Sequence, residues 1–144
     1  MANGGWYGTQ EEWQRIEAPL LEIDSVVECF SEEYGLELTK NHKDWPGRSM
    51  EWGESVRCII QIYLADEKNL TWNVWLCASQ DREKGMLWWK GQHRFWKQEM
   101  LVKSKPISSF SNDLQALLCK GKDKLDHWHN NPEGLEFATQ IQRL

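Results

Sequence analysis

From Leu20 onward, apolar side chains recur at Leu20, Ile23, Val27, Phe30 and Tyr34, intervals of three and four that put them on one face of a helix. Glu22, Ser25, Glu28 and Glu32 fall on the other face and read as solvated. Gly35 follows as a C-cap. Upstream, Thr9-Gln10-Glu11-Glu12 has the spacing of a capping box, with Trp13 and Ile16 opening the apolar stripe. Pro19 interrupts it and either kinks one helix or opens a second at its first position.

The period changes to two at Leu36, where Leu36 and Leu38 alternate with Glu37 and Thr39 in a short strand. Residues 41–47 read as a loop, and Arg48 to Trp52 as another short strand ended by Gly53. Ser55 to Ala65 and Leu70 to Ser79 are strands joined by a hairpin loop at Asp66-Glu67-Lys68-Asn69. A second hairpin loop is expected at Asp81 to Gly85 and a strand at Met86 to Lys90. Gln92 to Val102 continues extended, with a helix as the alternative because Trp96 and Met100 are four apart. Ser108, Ser109 and Ser111 offer N-caps for a last long helix, with Asp113 favourable in its first turn. Leu114, Leu117, Leu118, Leu125 and Trp128 supply its stripe, and Gly121 marks a bend or division. Leu135 to Leu144 is ambiguous, a short terminal helix being one reading.

The fold class that follows is α+β, with an N-terminal helix, an antiparallel β-meander of four to six strands and a C-terminal helix, the helices mainly on one face of the sheet. Residues 1–8 read as a flexible N-terminus and 9–144 as a single α+β domain. A chain of 144 residues buries roughly 68–70% of its extended surface and needs no staple to fold.

Strand parity divides the sheet into two faces. On the central hairpin Cys58, Ile60, Ile62, Leu64, Leu70, Trp72, Val74, Leu76 and Ala78 share one side, all apolar, and belong under the helices. The other side mixes Arg57, Ile59, Gln61, Tyr63, Thr71, Asn73, Trp75, Cys77 and Ser79. Such a face suits binding: Tyr63 and Trp75 are flat platforms, and Arg57, Gln61 and Asn73 supply directional hydrogen bonds. The aromatic-basic run from Trp88 and Trp89 to Lys97 borders it. The competing reading has loops and termini covering this face as a second small core.

Composition sharpens the choice of chemistry. Ten tryptophans in a chain of this size exceed what one core accommodates, so some line a cleft or an exposed face. Cys29, Cys58, Cys77 and Cys119 form no Cys-x-x-Cys pair and each lies in an apolar stretch, which reads as reduced, buried thiols. No metal or cofactor is called for. His127 and His129 are the one close histidine pair, and on a helix their side chains diverge. Glu51, Glu54 and Asp44 lie near Trp45 and Trp52, a combination found where sugars bind, yet no nucleophile elbow, phosphate loop or zinc-protease motif accompanies them. An enzyme is therefore the less favoured reading.

Net charge is −5, unevenly spread. The first 40 residues hold two basic and nine acidic side chains, whereas residues 82–105 hold seven basic and two acidic. The overall acidity argues against nucleic acid despite the tryptophans and lysines at 88–97. No apolar run reaches the roughly 20 residues that cross a bilayer. The opening Met1-Ala2-Asn3-Gly4-Gly5-Trp6 lacks the marks of a secretory signal, and the expectation is a cytoplasmic protein. The expected function is non-catalytic binding of another protein, basic in character, through Glu28 and Glu32 of the acidic helix, the aromatic-polar sheet face, or both. Adaptors, chaperone-like holders and inhibitor or immunity proteins share this make-up. The alternative is small-molecule or carbohydrate binding on the Tyr63–Trp75 face, with hydrolysis as its extension. Homodimer formation through an edge strand stays open.

Overall fold

The structure, a computed structural model, describes residues 8–40, 46–81, 93–131 and 136–139. Helix α1 (Gln10–Tyr34) is followed by strands β1 (Glu37–Lys40), β2 (Gly47–Trp52), β3 (Arg57–Asp66), β4 (Thr71–Asp81) and β5 (His93–Lys105). Helix α2 (Leu114–Asn130) and strand β6 (Glu136–Thr139) complete the chain. The six strands form one antiparallel sheet in sequential order, a pure meander. The N-terminal helix, antiparallel meander and C-terminal helix expected from the patterning are all present. The expected strand at Met86 to Lys90, most of the loop at 81–85, Trp89 and residues 1–7 and 41–45 lie outside the described residues.

α1 begins as its capping box requires. The Thr9 hydroxyl accepts from the Glu12 N–H at 3.1 Å, and the Glu12 carboxylate accepts from the Thr9 N–H at 3.0 Å. These bonds, the backbone one foremost, hold the Glu12 carboxyl below its usual value. Its contribution to the helix is therefore present at neutral pH and lost as pH falls through that lowered value. Replacing Thr9 with alanine should cost about 1 kcal/mol in urea unfolding, and an unchanged midpoint would mean the box is ornamental.

Pro19 neither splits α1 nor restarts it: the helix is continuous for 25 residues. An internal proline costs about 3 kcal/mol through its lost N–H. Ile16, Leu20, Ile23 and Val27, each at most 1% exposed, straddle it. Each buried side chain of this size returns about 1.5–3 kcal/mol, so the shared stripe outweighs the break. Gly35 then ends the helix at φ 65°, its N–H reaching the Glu32 carbonyl.

The core lies between the helices and the even face of the hairpin. Cys58, Ile60, Ile62, Trp72, Val74, Leu76 and Ala78 are fully buried and join Leu114, Leu118 and Leu125 of α2 and the α1 stripe in one cluster. Gly121, expected to bend or divide α2, sits in an unbroken helix. A Cβ there would stand 2.9 Å from Leu76 Cδ2 and 3.1 Å from Leu101 Cδ1, so the glycine lets α2 approach the sheet.

Residues 93–105 are strand throughout, in keeping with the extended reading over its helical alternative, and pair with β4 from Trp72↔Lys105 to Asp81↔Arg94. One further expectation is corrected and one ambiguity is resolved. Ser109 and Ser111 do not cap α2. They lie in two 3₁₀ turns, Ile107–Ser109 and Ser111–Asp113, anchored by buried Ile107 and Phe110, and Asp113 precedes α2 without a side-chain cap. The C-terminal segment contributes β6, not a helix, and pairs with the outer edge of β5 from His93↔Thr139 to Trp96↔Glu136.

The sequence missed one buried element. Arg48 is 1% exposed on the helix side of β2, and its Nε and Nη2 donate to the two oxygens of Asp24 on α1 at 2.6 and 3.0 Å. Its Nη1 donates to the Gly47 carbonyl at 2.9 Å. Lys40 approaches the same carboxylate at 3.9 Å and pairs with Glu28.

Candidate functional site

The register lays out the face of the sheet turned away from the helices. Its central row is Ser49, Gln61, Trp75 and Met100, flanked by Tyr63 and Asn73 on one side and by Ile59, Cys77 and Gln98 on the other. No described helix packs on it. On this face Ser49 and Cys77 are buried, Gln61, Tyr63 and Trp75 are half-buried, and Met100 is 39% exposed. Tyr63, Trp75 and Met100 therefore make a flat aromatic and thioether patch.

The polar groups around that patch are engaged within the protein. Arg57 donates to Glu51 at 3.1 Å, Glu37 at 3.4 Å and the Gly53 carbonyl at 2.5 Å. Asn73 Oδ1 accepts from the Ser104 N–H at 2.8 Å, bracing a bulge where Ser104 takes φ 52°. The Trp75 indole donates to Gln98 at 2.9 Å. Arg57 and Asn73 thus brace the sheet, and Glu51 is spoken for by Arg57. Trp89 lies outside the described residues.

Glu28 and Glu32 sit on the opposite side of the molecule, on the outer face of α1. They lie seven and eleven residues beyond Leu21, and Glu17 and Ser25 lie four to either side of it, so all share one line along the helix. Leu21 is 58% exposed, the most exposed large apolar residue described. Glu28 pairs with Lys40, whereas Glu17, Glu22, Glu32 and Glu33 have no ion pair among the described residues. The apolar period of the buried face hid Leu21; its exposure follows from lying next to Leu20 on a helix turned the other way.

A shallow cleft of about 410 Å³ separates α2 from β5, lined by Lys97, Glu99, Asp123, Lys124, His127 and Trp128. Lys97 Nζ lies 5.3 Å over the Trp128 ring, and Lys124 pairs with Glu99. Where α1, β2 and α2 meet, Lys122 Nζ stands 4.8 Å from the Tyr34 ring centroid and 5.3 Å from that of Trp52. It donates to Asp126 Oδ2 at 2.6 Å, while the Trp52 indole donates to Oδ1 at 3.1 Å. The charge of Glu33, followed by desolvation, raises the Tyr34 phenol above its usual value, so at neutral pH the ring is uncharged.

Among the described residues no group of three or more histidine, cysteine, aspartate or glutamate side chains is placed to hold a metal ion, and no helix is long and apolar enough to cross a membrane. Burial pushes the Cys58 thiol up to about 12, which keeps it protonated at neutral pH and unsuited to nucleophilic attack. Comparison with protein-family models, curated proteins and solved structures finds no match to the chain.

Proposed function

We propose that the protein is a non-catalytic interaction domain that docks a basic protein partner on the outer face of α1. The observation that supports this is Leu21, 58% exposed in a line of glutamates of which only Glu28 has an ion pair among the described residues. An apolar anchor flanked by carboxylates favours a surface with basic residues around an apolar spot, and the acidic field speeds the encounter. An adaptor, a chaperone-like holder or an inhibitor of a basic effector all work this way. Cys29, Cys58, Cys77 and Cys119 are free thiols, which fits a reducing compartment, and we assign the protein to the cytoplasm.

The Tyr63–Trp75–Met100 patch favours a second reading, binding of a small molecule or carbohydrate. The engagement of Arg57 and Asn73 within the sheet weighs against it, because directional recognition needs free donors.

A pull-down from cell extract with the wild-type protein and with the E22K/E32K double variant tests the α1 interface. A stoichiometric partner should bind the wild type, release as salt shortens the screening length, and associate with the variant roughly tenfold or more slowly. A partner that binds both forms equally at every salt concentration would remove α1 from the interface.

A further inference from the structure

The ammonium of Lys122 is surrounded by groups from three separate elements: Tyr34 from the last turn of α1, Trp52 from the end of β2 and Asp126 from α2. The Asp126 carboxylate is divided between two tasks. Oδ1 takes the Trp52 indole N–H, which orients the carboxylate and the ring together, and Oδ2 takes the ammonium. Two aromatic faces and one oriented carboxylate are the means by which an organic ammonium is recognised. The occupant is more covered than two of its walls, and the third, Trp52, is half-buried. The Lys122 side chain is 17% exposed, whereas Tyr34 is 44% exposed and the Asp126 side chain 39%.

We propose that Tyr34, Trp52 and Asp126 form an ammonium-binding cage, occupied in the free protein by Lys122 and open to a lysine side chain of a basic protein partner when Lys122 swings out. This rests on the assignment of a basic partner to α1, the helix that Tyr34 terminates and whose outer face carries Glu28 and Glu32. Lys122 and Asp126 are four residues apart on one helix, so the resident ammonium is a tethered competitor. An incoming lysine must displace it, and only a partner held nearby by α1 has the local concentration to do so. The exchange makes the cage a selectivity filter as well as an anchor, because a free cation in solution competes poorly with the tether.

Tetramethylammonium chloride, titrated into the full chain with sodium chloride adjusted to constant ionic strength, is the probe. Binding is read from the NMR signal of the Trp52 indole N–H. In Lys122→Ala the tethered competitor is gone, and tetramethylammonium should bind about tenfold more tightly than to the wild type. Adding Asp126→Asn to that variant should weaken binding about fivefold. Should Lys122→Ala fail to fold by circular dichroism, Lys122→Gln vacates the charge and keeps the stem, with the same expectation. Equal binding to the wild type and the lysine variant, or no response in either, would overturn the cage and leave Lys122 as a brace between α1 and α2. E22K/E32K should bind the probe as the wild type does, so loss of the α1 interface and loss of the cage are read separately.

Discussion

Replacing Asp24 with alanine should lower the stability of the protein by about 3–5 kcal/mol, the cost of breaking a buried ion pair from one side. Arg48 is 1% exposed, and its guanidinium relies on the two Asp24 oxygens for two of the bonds that compensate its removal from water. Taking the carboxylate away removes both of those bonds at once from a guanidinium held inside the protein, while the Nη1 bond to the Gly47 carbonyl stays. Lys40 lies near the same carboxylate, but its side chain is 41% exposed and turns to Glu28 and water without penalty. With a urea dependence of about 1–3 kcal/mol per molar, the unfolding midpoint should fall by roughly 1 M or more. The double variant D24L/R48M removes both charges and should recover most of the loss, since the guanidinium no longer has to be kept out of water. A single-variant loss below about 1 kcal/mol would mean that Arg48 reaches solvent or another acceptor when Asp24 is gone.

That pair also shows where the sequence stops being readable. Asp24 is four residues after Leu20 and three before Val27, squarely on the buried stripe, and Arg48 has the parity of Met50. Each is an anomaly in its own element. Neither element says that the other lies opposite, and a polar residue at an apolar position reads equally well as the edge of the buried face. The central hairpin is legible because β3 and β4 are long enough for their alternation to fix parity, which puts Tyr63 and Trp75 on the outward face from the sequence alone. Their neighbours on β5 are not legible. Its pairing with β4 shifts twice, between Trp72 and Val74 and between Val74 and Trp75, so alternation along β5 cannot be carried through to place Gln98 and Met100. β6 is four residues long, too short for any period to distinguish strand from helix. The Lys122 cage joins residues 34, 52, 122 and 126, and only its i,i+4 half lies within the reach of local spacing.

Trp72 and Trp75 stand three residues apart on β4 and face opposite sides of the sheet, and their truncations should differ several-fold in cost. Trp72 is fully buried beneath the helices, flanked across the strands by Leu64 and Lys105. Trp72→Ala deletes a large core side chain and should cost about 3–5 kcal/mol. Its indole N–H has no acceptor among the described residues. Trp72→Phe removes that unpaired donor, whose burial carries a penalty of about 1–3 kcal/mol, and so should cost much less than the alanine change despite the space it leaves. Trp75 is half-buried and spends its N–H on Gln98, an exposed residue, so Trp75→Ala should cost about 1 kcal/mol. Urea unfolding of the three variants provides the measurement. A large loss for Trp72→Ala with a small one for Trp75→Ala fits a sheet with one dry face and one more loosely packed face, on which Trp75 and Met100 could meet a ligand. Equal losses would mean that the outward face is packed as tightly as the inward one, and the patch would then belong to a second core, leaving α1 as the surface on which a partner can dock.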